Sequence, residues 1–244
     1  MKKTVLITGG SRGIGASTAK KFASHGYNIA LTFLTNETLA KSLKEEIEKN
    51  WDVEVFLKKL DIQNETEITT WLKEVLDKFE GIDCLVNNAA ICHDNNIEEK
   101  TVLEFEDVLR TNLVGPFLTC KFVGEKMLEQ KSGKIINIAS TNGIDTMNTY
   151  SIDYDASKAG LISLTHNFAK HLAPFVQVNA VCPGWTKTES VLEMNPNDLK
   201  KEQESILLER FAEPEEIANV IYFLATDEAS YINNSILRVD GGIK

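Results

Sequence analysis

The chain has 244 residues, 43% hydrophobic and 25% charged, a composition typical of a globular protein rather than a disordered one. Its 36 acidic and 26 basic side chains leave a net charge of −10, which argues against a nucleic-acid partner because phosphate backbones are held by clustered Lys and Arg. A chain of this length makes one large domain or two small ones. No linker, repeat or low-complexity tract divides it, so residues 1–244 are expected to form a single domain.

Met1-Lys2-Lys3 carries the charge of a signal n-region, but the apolar run behind it is only Val5-Leu6-Ile7. A secretory core needs about 7–15 apolar residues and a membrane span about 18. No run in the chain reaches either, so no membrane partner is expected. Cys84, Cys92, Cys120 and Cys182 are far apart, with no C-x-x-C pair and no His cluster. This predicts neither a disulfide framework nor a metal site, and it fits a cytoplasmic protein.

Along the chain, short apolar or β-branched runs alternate with longer amphipathic stretches. Strands are expected at 4–8, 28–33, 53–58, 84–87, 134–139, 177–181 and 236–239. Helices are expected at 14–25, 37–50, 65–79, 102–129, 155–171 and 214–224. The alternation predicts a doubly wound Rossmann-type α/β fold, with a parallel sheet of about seven strands and helices on both faces. Ligands in such sheets bind beyond the carboxyl ends of the strands.

The first strand runs into Thr8-Gly9-Gly10-Ser11-Arg12-Gly13-Ile14-Gly15 and then a helix. Glycines there let the backbone approach a pyrophosphate, and the helix N-terminus offers free N–H donors. The spacing differs from G-x-G-x-x-G, and no Lys-Ser/Thr follows, so this is not a P-loop. NAD sites place an Asp or Glu about 20 residues on, at the end of the second strand. Here that place is Phe33, followed by Leu34-Thr35-Asn36, and Glu37 is read as opening the next helix. With no carboxylate to repel a 2′-phosphate and with Arg12 able to pair with one, NADP(H) is favoured over NAD(H).

Strand five ends at Ser140, and Tyr154-Asp155-Ala156-Ser157-Lys158 follows. On a helix, Tyr154 and Lys158 stand one turn apart on one face. An ammonium beside a phenol favours the phenolate and moves its pKa toward neutrality, and a serine hydroxyl could hold a carbonyl oxygen next to it. The set reads as a hydride-transfer site, with the dinucleotide supplying the hydride and the phenol the proton. Tyr150 lacks a Lys four residues on and is read as pocket wall. Asp155 is read as a solvated early-helix residue and His93 as an ordinary loop histidine.

With these residues in view, the chain resembles the short-chain dehydrogenase/reductases, and among them the 3-oxoacyl-acyl-carrier-protein reductases. The resemblance runs from Thr4 to Gly242 through five motifs in order. They are Thr8-Gly9…Gly13-x-Gly15, Asp61, Asn87-Asn88-Ala89-Ala90, the Ser140/Tyr154/Lys158 set, and Pro183-Gly184. It implies Tyr154 as general acid/base, Ser140 as orienter of the substrate oxygen, Lys158 on the nicotinamide ribose, and Asn112 anchoring a water relay. It also implies dinucleotide contacts from Gly9, Ser11, Arg12, Gly13, Ile14 and Gly15, from Asp61 and Ile62 at the adenine, and from Asn88 and Ala89 on the floor. Pro183, Gly184, Thr186 and Thr188 would meet the nicotinamide end, and the resemblance implies a homotetramer packed through the 102–129 and 155–171 helices. Leu161, Leu164 and Phe168 suit such an interface or a monomer core equally.

The chain also departs from that family's pattern. Ala90 replaces the usual glycine, the Ser140–Tyr154 spacing is one residue longer than common, and Asn233-Asn234 stands at a turn where Asn tolerates the left-handed conformation. An acidic carrier protein needs a basic patch, and only Lys131 and Lys134 remain of one. The sequence therefore predicts NADP(H)-dependent reduction of a ketone or 3-oxoacyl thioester. The alternatives are an NAD-dependent sugar or small-alcohol dehydrogenase, or a non-catalytic dinucleotide sensor.

Overall fold

A computed structural model describes residues 2–145 and 147–243. Seven parallel strands, β1 (Thr4–Ile7), β2 (Asn28–Phe33), β3 (Val55–Lys59), β4 (Cys84–Asn87), β5 (Gly133–Ile138), β6 (Val176–Pro183) and β7 (Ile236–Val239), form one sheet in the order β3-β2-β1-β4-β5-β6-β7. The order reverses between β1 and β4, where Val5, Leu6 and Ile7 pair with Cys84, Leu85 and Val86. A crevice opens at such a reversal because the chain leaves the two strands in opposite directions.

Alternate residues of each strand feed two separate cores. Val5, Ile7, Ile29 and Leu31 face α1 (Gly13–Ala23), α2 (Glu37–Asn50) and the late helix Pro214–Ala225, whereas Leu6, Ala30 and Leu85 face α3 (Glu65–Phe79) and the helices described next. Burial on both faces explains why the strands read as unbroken apolar runs.

The single helix expected at 102–129 is interrupted. It is α4 (Val102–Leu109), a π-helical turn at Arg110–Val114, and α5 (Gly115–Gln130). Pro116 is the cause visible in the sequence, since it has no N–H to give the Asn112 carbonyl four residues earlier. The helix expected at 155–171 is α6 (Ile152–Leu172), so Tyr154 stands in its first turn. Two helices went unpredicted, α7 (Glu189–Leu192) and α8 (Pro196–Glu204), before α9 (Pro214–Ala225). α8 buries no side chain and therefore carries no apolar period. Asn234 adopts φ +60°, the left-handed turn its side chain allows, and Asn233 Oδ1 accepts the Val178 N–H at 2.9 Å. Among the described residues no helix is long and apolar enough to cross a membrane. All four cysteines are free, and among the described residues no group of three His, Cys, Asp or Glu could hold a metal.

Candidate active site

The glycine loop connects β1 to α1 at the reversal of the sheet, and its shape depends on missing side chains. Gly9 has φ +63°, and a Cβ there would stand 2.7 Å from Ala89 Cα. A Cβ on Gly15 would stand 2.8 Å from the Gly9 carbonyl oxygen. The loop is tied to the end of β4 by Thr8, whose hydroxyl accepts the Asn88 and Ala89 N–H groups, both at 3.1 Å. Asn88 Nδ2 returns hydrogen bonds to the carbonyl oxygens of Thr8 (3.1 Å) and Gly9 (2.8 Å). The first turn of α1 carries no acidic side chain, so its positive end is not neutralised locally. This bare, electropositive cradle fits a dinucleotide pyrophosphate.

The cradle opens into a cleft of about 510 Å³. Gly9, Ser11, Arg12, Gly13 and Ile14 line its start, Asp61 and Ile62 its side, and Asn88 and Ala89 its floor. Thr188 and Glu189 close it from the segment after β6. At the end of β2, Phe33 is 6% exposed whereas Leu34 is 52% exposed, so Leu34 is the more exposed side chain lining the cleft there. Glu37 begins α2 and pairs with Lys41 at 2.7 Å. The exposed Arg12 guanidinium lies 3.4 Å from the Glu189 carboxylate.

Of the remaining expected residues, Gly15 packs beneath the loop and does not line the cleft. Pro183 ends β6, Gly184 donates its N–H to Val239 O at 3.1 Å, and Thr186 is buried with its hydroxyl on Gly184 O.

Ser140, Tyr154 and Lys158 come together at the carboxyl edge of β5. The Ser140 hydroxyl, which donates to Asn142 Oδ1 at 3.3 Å, stands near enough to the Tyr154 phenol to act on its ionisation. Lys158 is 2% exposed, its Nζ 2.7 Å from Ile138 O and 5.3 Å from the centre of the Tyr154 ring. Burial pushes the phenol above its ordinary range, outweighing the lowering expected from Lys158, while the Ser140 hydroxyl pulls the other way. Burial also lowers the Lys158 ammonium to about 8. Asn112, fully buried in the π-helical turn, accepts the Ile91 N–H at 2.9 Å and donates to Ile91 O (2.8 Å) and Ser157 Oγ (3.1 Å).

A family model described as enoyl-(acyl carrier protein) reductase matches residues 9–244. A protein of Aquifex aeolicus named 3-oxoacyl-acyl-carrier-protein reductase FabG is 39% identical over 242 residues, 99% of this chain and 97% of the relative. One of the same name from Staphylococcus epidermidis is 40% identical over 245 residues, covering 100% and 99%. A 3-oxoacyl-acyl-carrier-protein reductase of Synechocystis is 39% identical over 243 residues, covering 99% and 96%.

The chain belongs to the short-chain dehydrogenase/reductase family.

It is accordingly an oxidoreductase of carbonyl and alcohol groups that works with a nicotinamide dinucleotide. Three readings of this family member's sequence change with its structure. His93 is no ordinary loop residue: it lines the cleft and pairs with Asp107 at 3.1 Å, and Gln63 Nε2 bridges Asp107 and Thr111, at 3.0 Å each. The signal available was His93 lying just past the Asn-Asn-Ala-Ala turn; its partner, fourteen residues on, was not legible. Asp155 is half-buried and more than a surface residue, since it accepts from Asn142 Nδ2 (2.7 Å), the Asn148 N–H (2.9 Å) and Ser151 Oγ (3.3 Å), tying those three residues to α6. Lys134 is not a docking cation: it is half-buried, and its Nζ donates to Gln177 Oε1 and to Thr226 O. Leu161 is core, at 1% exposure.

Proposed function

We propose that the enzyme reduces ketones with NADPH, and 3-oxoacyl thioesters in particular. The observation that carries this reading is the convergence of the Ser140 hydroxyl and the Tyr154 phenol beside buried Lys158, at the carboxyl edge of the sheet. The nicotinamide, when bound, supplies the hydride. Ser140 holds the carbonyl oxygen against the phenol. Tyr154 donates the proton to it, and the upward pressure of burial keeps the phenol protonated at neutral pH. Lys158, with its lowered ammonium, takes the nicotinamide ribose and returns the proton. Asn112 anchors a proton relay from solvent through the π-helical turn, where Pro116 leaves its backbone carbonyl without the usual partner.

Gly9, Ser11, Arg12, Gly13 and Ile14 hold the pyrophosphate side, and Gly15 shapes the loop from beneath. Asp61 and Ile62 take the adenine, Asn88 and Ala89 the floor, and Pro183, Gly184, Thr186 and Thr188 the nicotinamide. Arg12 takes the 2′-phosphate, with no carboxylate between Phe33 and Asn36 to oppose it.

A hydroxyl beside a phenol complements a developing alkoxide, which favours a carbonyl over the enoyl substrate in the family model's description. We assign residues 1–244 to one catalytic domain. The exposed Val102, Leu103 and Phe117 of α4 and α5 support a homotetramer built on those helices, and the four free thiols support a cytoplasmic location.

The test is reduced-nicotinamide absorbance with a panel of 3-oxoacyl thioesters, 2-enoyl thioesters, simple ketones and sugars. The expected result is oxidation of NADPH by the oxoacyl thioesters and its loss in Tyr154→Phe, which keeps dinucleotide binding. Turnover of sugars alone with NAD, or an unchanged Tyr154→Phe, overturns the reading.

A further inference from the structure

Lys100 and Asp153 form an ion pair whose side chains are 5% and 0% exposed. Nζ lies 3.0 and 2.9 Å from the two carboxylate oxygens, and it also donates to the His93 carbonyl oxygen. Asp153 immediately precedes Tyr154, and its Oδ1 accepts the Tyr154 N–H at 2.9 Å. The carbonyl of Tyr154 is held as well: it accepts from Ser157 Oγ at 2.7 Å, and Ser157 in turn accepts from Asn112, which clamps both backbone groups of Ile91. The peptide groups on either side of Tyr154 are thus tied to one segment, 91–100. One tie runs through Asp153 and Lys100 to His93, the other through Ser157 and Asn112 to Ile91.

Stability does not account for this arrangement. Removing two charges from water offsets most of their attraction, and apolar side chains of similar volume usually fill such a site at no loss. What a buried, doubly hydrogen-bonded pair provides is a fixed geometry.

We propose that Lys100 and Asp153 are positioning residues for Tyr154, locking the first turn of α6 to the 91–100 segment so that the phenol faces Ser140. The proposal rests on the reading of Tyr154 as proton donor. The other groups facing that phenol are Ser140 on β5's edge, Lys158 and Asp155 on α6, Cys92 on the 91–100 segment, and Cys182 on β6.

The test is the pH profile of NADPH-dependent ketone reduction by the full-length enzyme, whose rate falls as the pH passes the ionisation of the Tyr154–Lys158 pair. Lys100→Met leaves a bare carboxylate and moves the alkaline limb to higher pH. Asp153→Asn leaves a bare ammonium and moves it to lower pH. A unit charge left uncovered one residue from Tyr154, at an effective dielectric of about 20, moves the limb by on the order of one pH unit. Lys100→Arg keeps the wild-type limb, and Lys100→Met/Asp153→Asn returns it close to wild type. In either single variant kcat falls about tenfold while the NADPH KM stays within about twofold, as a misplaced proton donor requires. If Lys100→Met does not fold, isosteric Asp153→Asn carries the test alone. Single variants that shift the limb in the same direction, or an Asp153→Asn limb that does not move, overturn the proposal. Turnover surviving in Tyr154→Phe would instead sink the reading of Tyr154, so the two failures are distinguishable.

Discussion

The Lys158 ammonium lies 2.7 Å from the carbonyl oxygen of Ile138 and 5.3 Å from the centre of the Tyr154 ring. A strand end and the second turn of α6 therefore hold a buried cation beneath a phenol. The arrangement is costly to the fold, and the cost has a definite pH window. The folded-state value of Lys158, about 8, lies below its ordinary 10.5, so between those values the unfolded chain binds more protons than the folded one. The penalty is full below about 8 and fades as the pH rises toward 10.5.

Lys158→Met should accordingly stabilise the protein at pH 7 while abolishing turnover. The shift corresponds to about 3 kcal/mol, and loss of the hydrogen bond to Ile138 returns about 1 kcal/mol of that. The expected rise in Tm is several degrees by calorimetry at pH 7, shrinking when the scan is repeated near pH 10. A Tm that drops at pH 7 contradicts the burial argument.

Arg12 and Glu189 make a second prediction. The carboxylate that now faces the guanidinium would compete with a 2′-phosphate for it. Glu189→Gln should tighten NADPH several-fold and leave NADH unchanged, whereas Arg12→Ala should weaken NADPH by about tenfold and spare NADH. Fluorescence titration with both dinucleotides reads each variant. Equal effects on the two would remove Arg12 from the 2′-phosphate.

Leu34 tests the same question from the other side. It is the exposed residue at the end of β2, next to buried Phe33. A carboxylate there should repel the 2′-phosphate and accept the ribose hydroxyl, so Leu34→Asp should shift the NADPH/NADH preference toward NADH by one to two orders of magnitude in kcat/KM, roughly what one misplaced charge costs. Placing the charge at Leu34 rather than Phe33 keeps the core intact.

Asn112 should be sensitive in both stability and rate. Asn112→Ala leaves the Ile91 N–H and C=O unpaired in a half-buried segment and frees Ser157. The expected loss is about 2–4 kcal/mol in urea unfolding, with a reduced kcat even where the protein remains folded. A variant with wild-type stability would show that these groups find other partners.

The sequence alone determined the sheet, the glycine cradle and the Ser140, Tyr154 and Lys158 set, because these depend on local spacing. Strands β2 and β4 matched their expected ranges, as did α2 and α3, since apolar period and capping residues act within a few positions. Tertiary structure alone decided what joins residues far apart in the chain. Glu189 reaches Arg12 across 177 positions, Lys100 reaches Asp153 across 53, and Lys134 is tied to Gln177 across 43. No periodicity records such pairings. The π-helical turn depends on one proline within an otherwise helical pattern, and α8 buries nothing and so leaves no hydrophobic trace. Burial, finally, sets the sign of the Tyr154 shift. Spacing shows that Lys158 stands near the phenol, but only the packed structure shows that Lys158 is buried and that the desolvation of the half-buried phenol outweighs it.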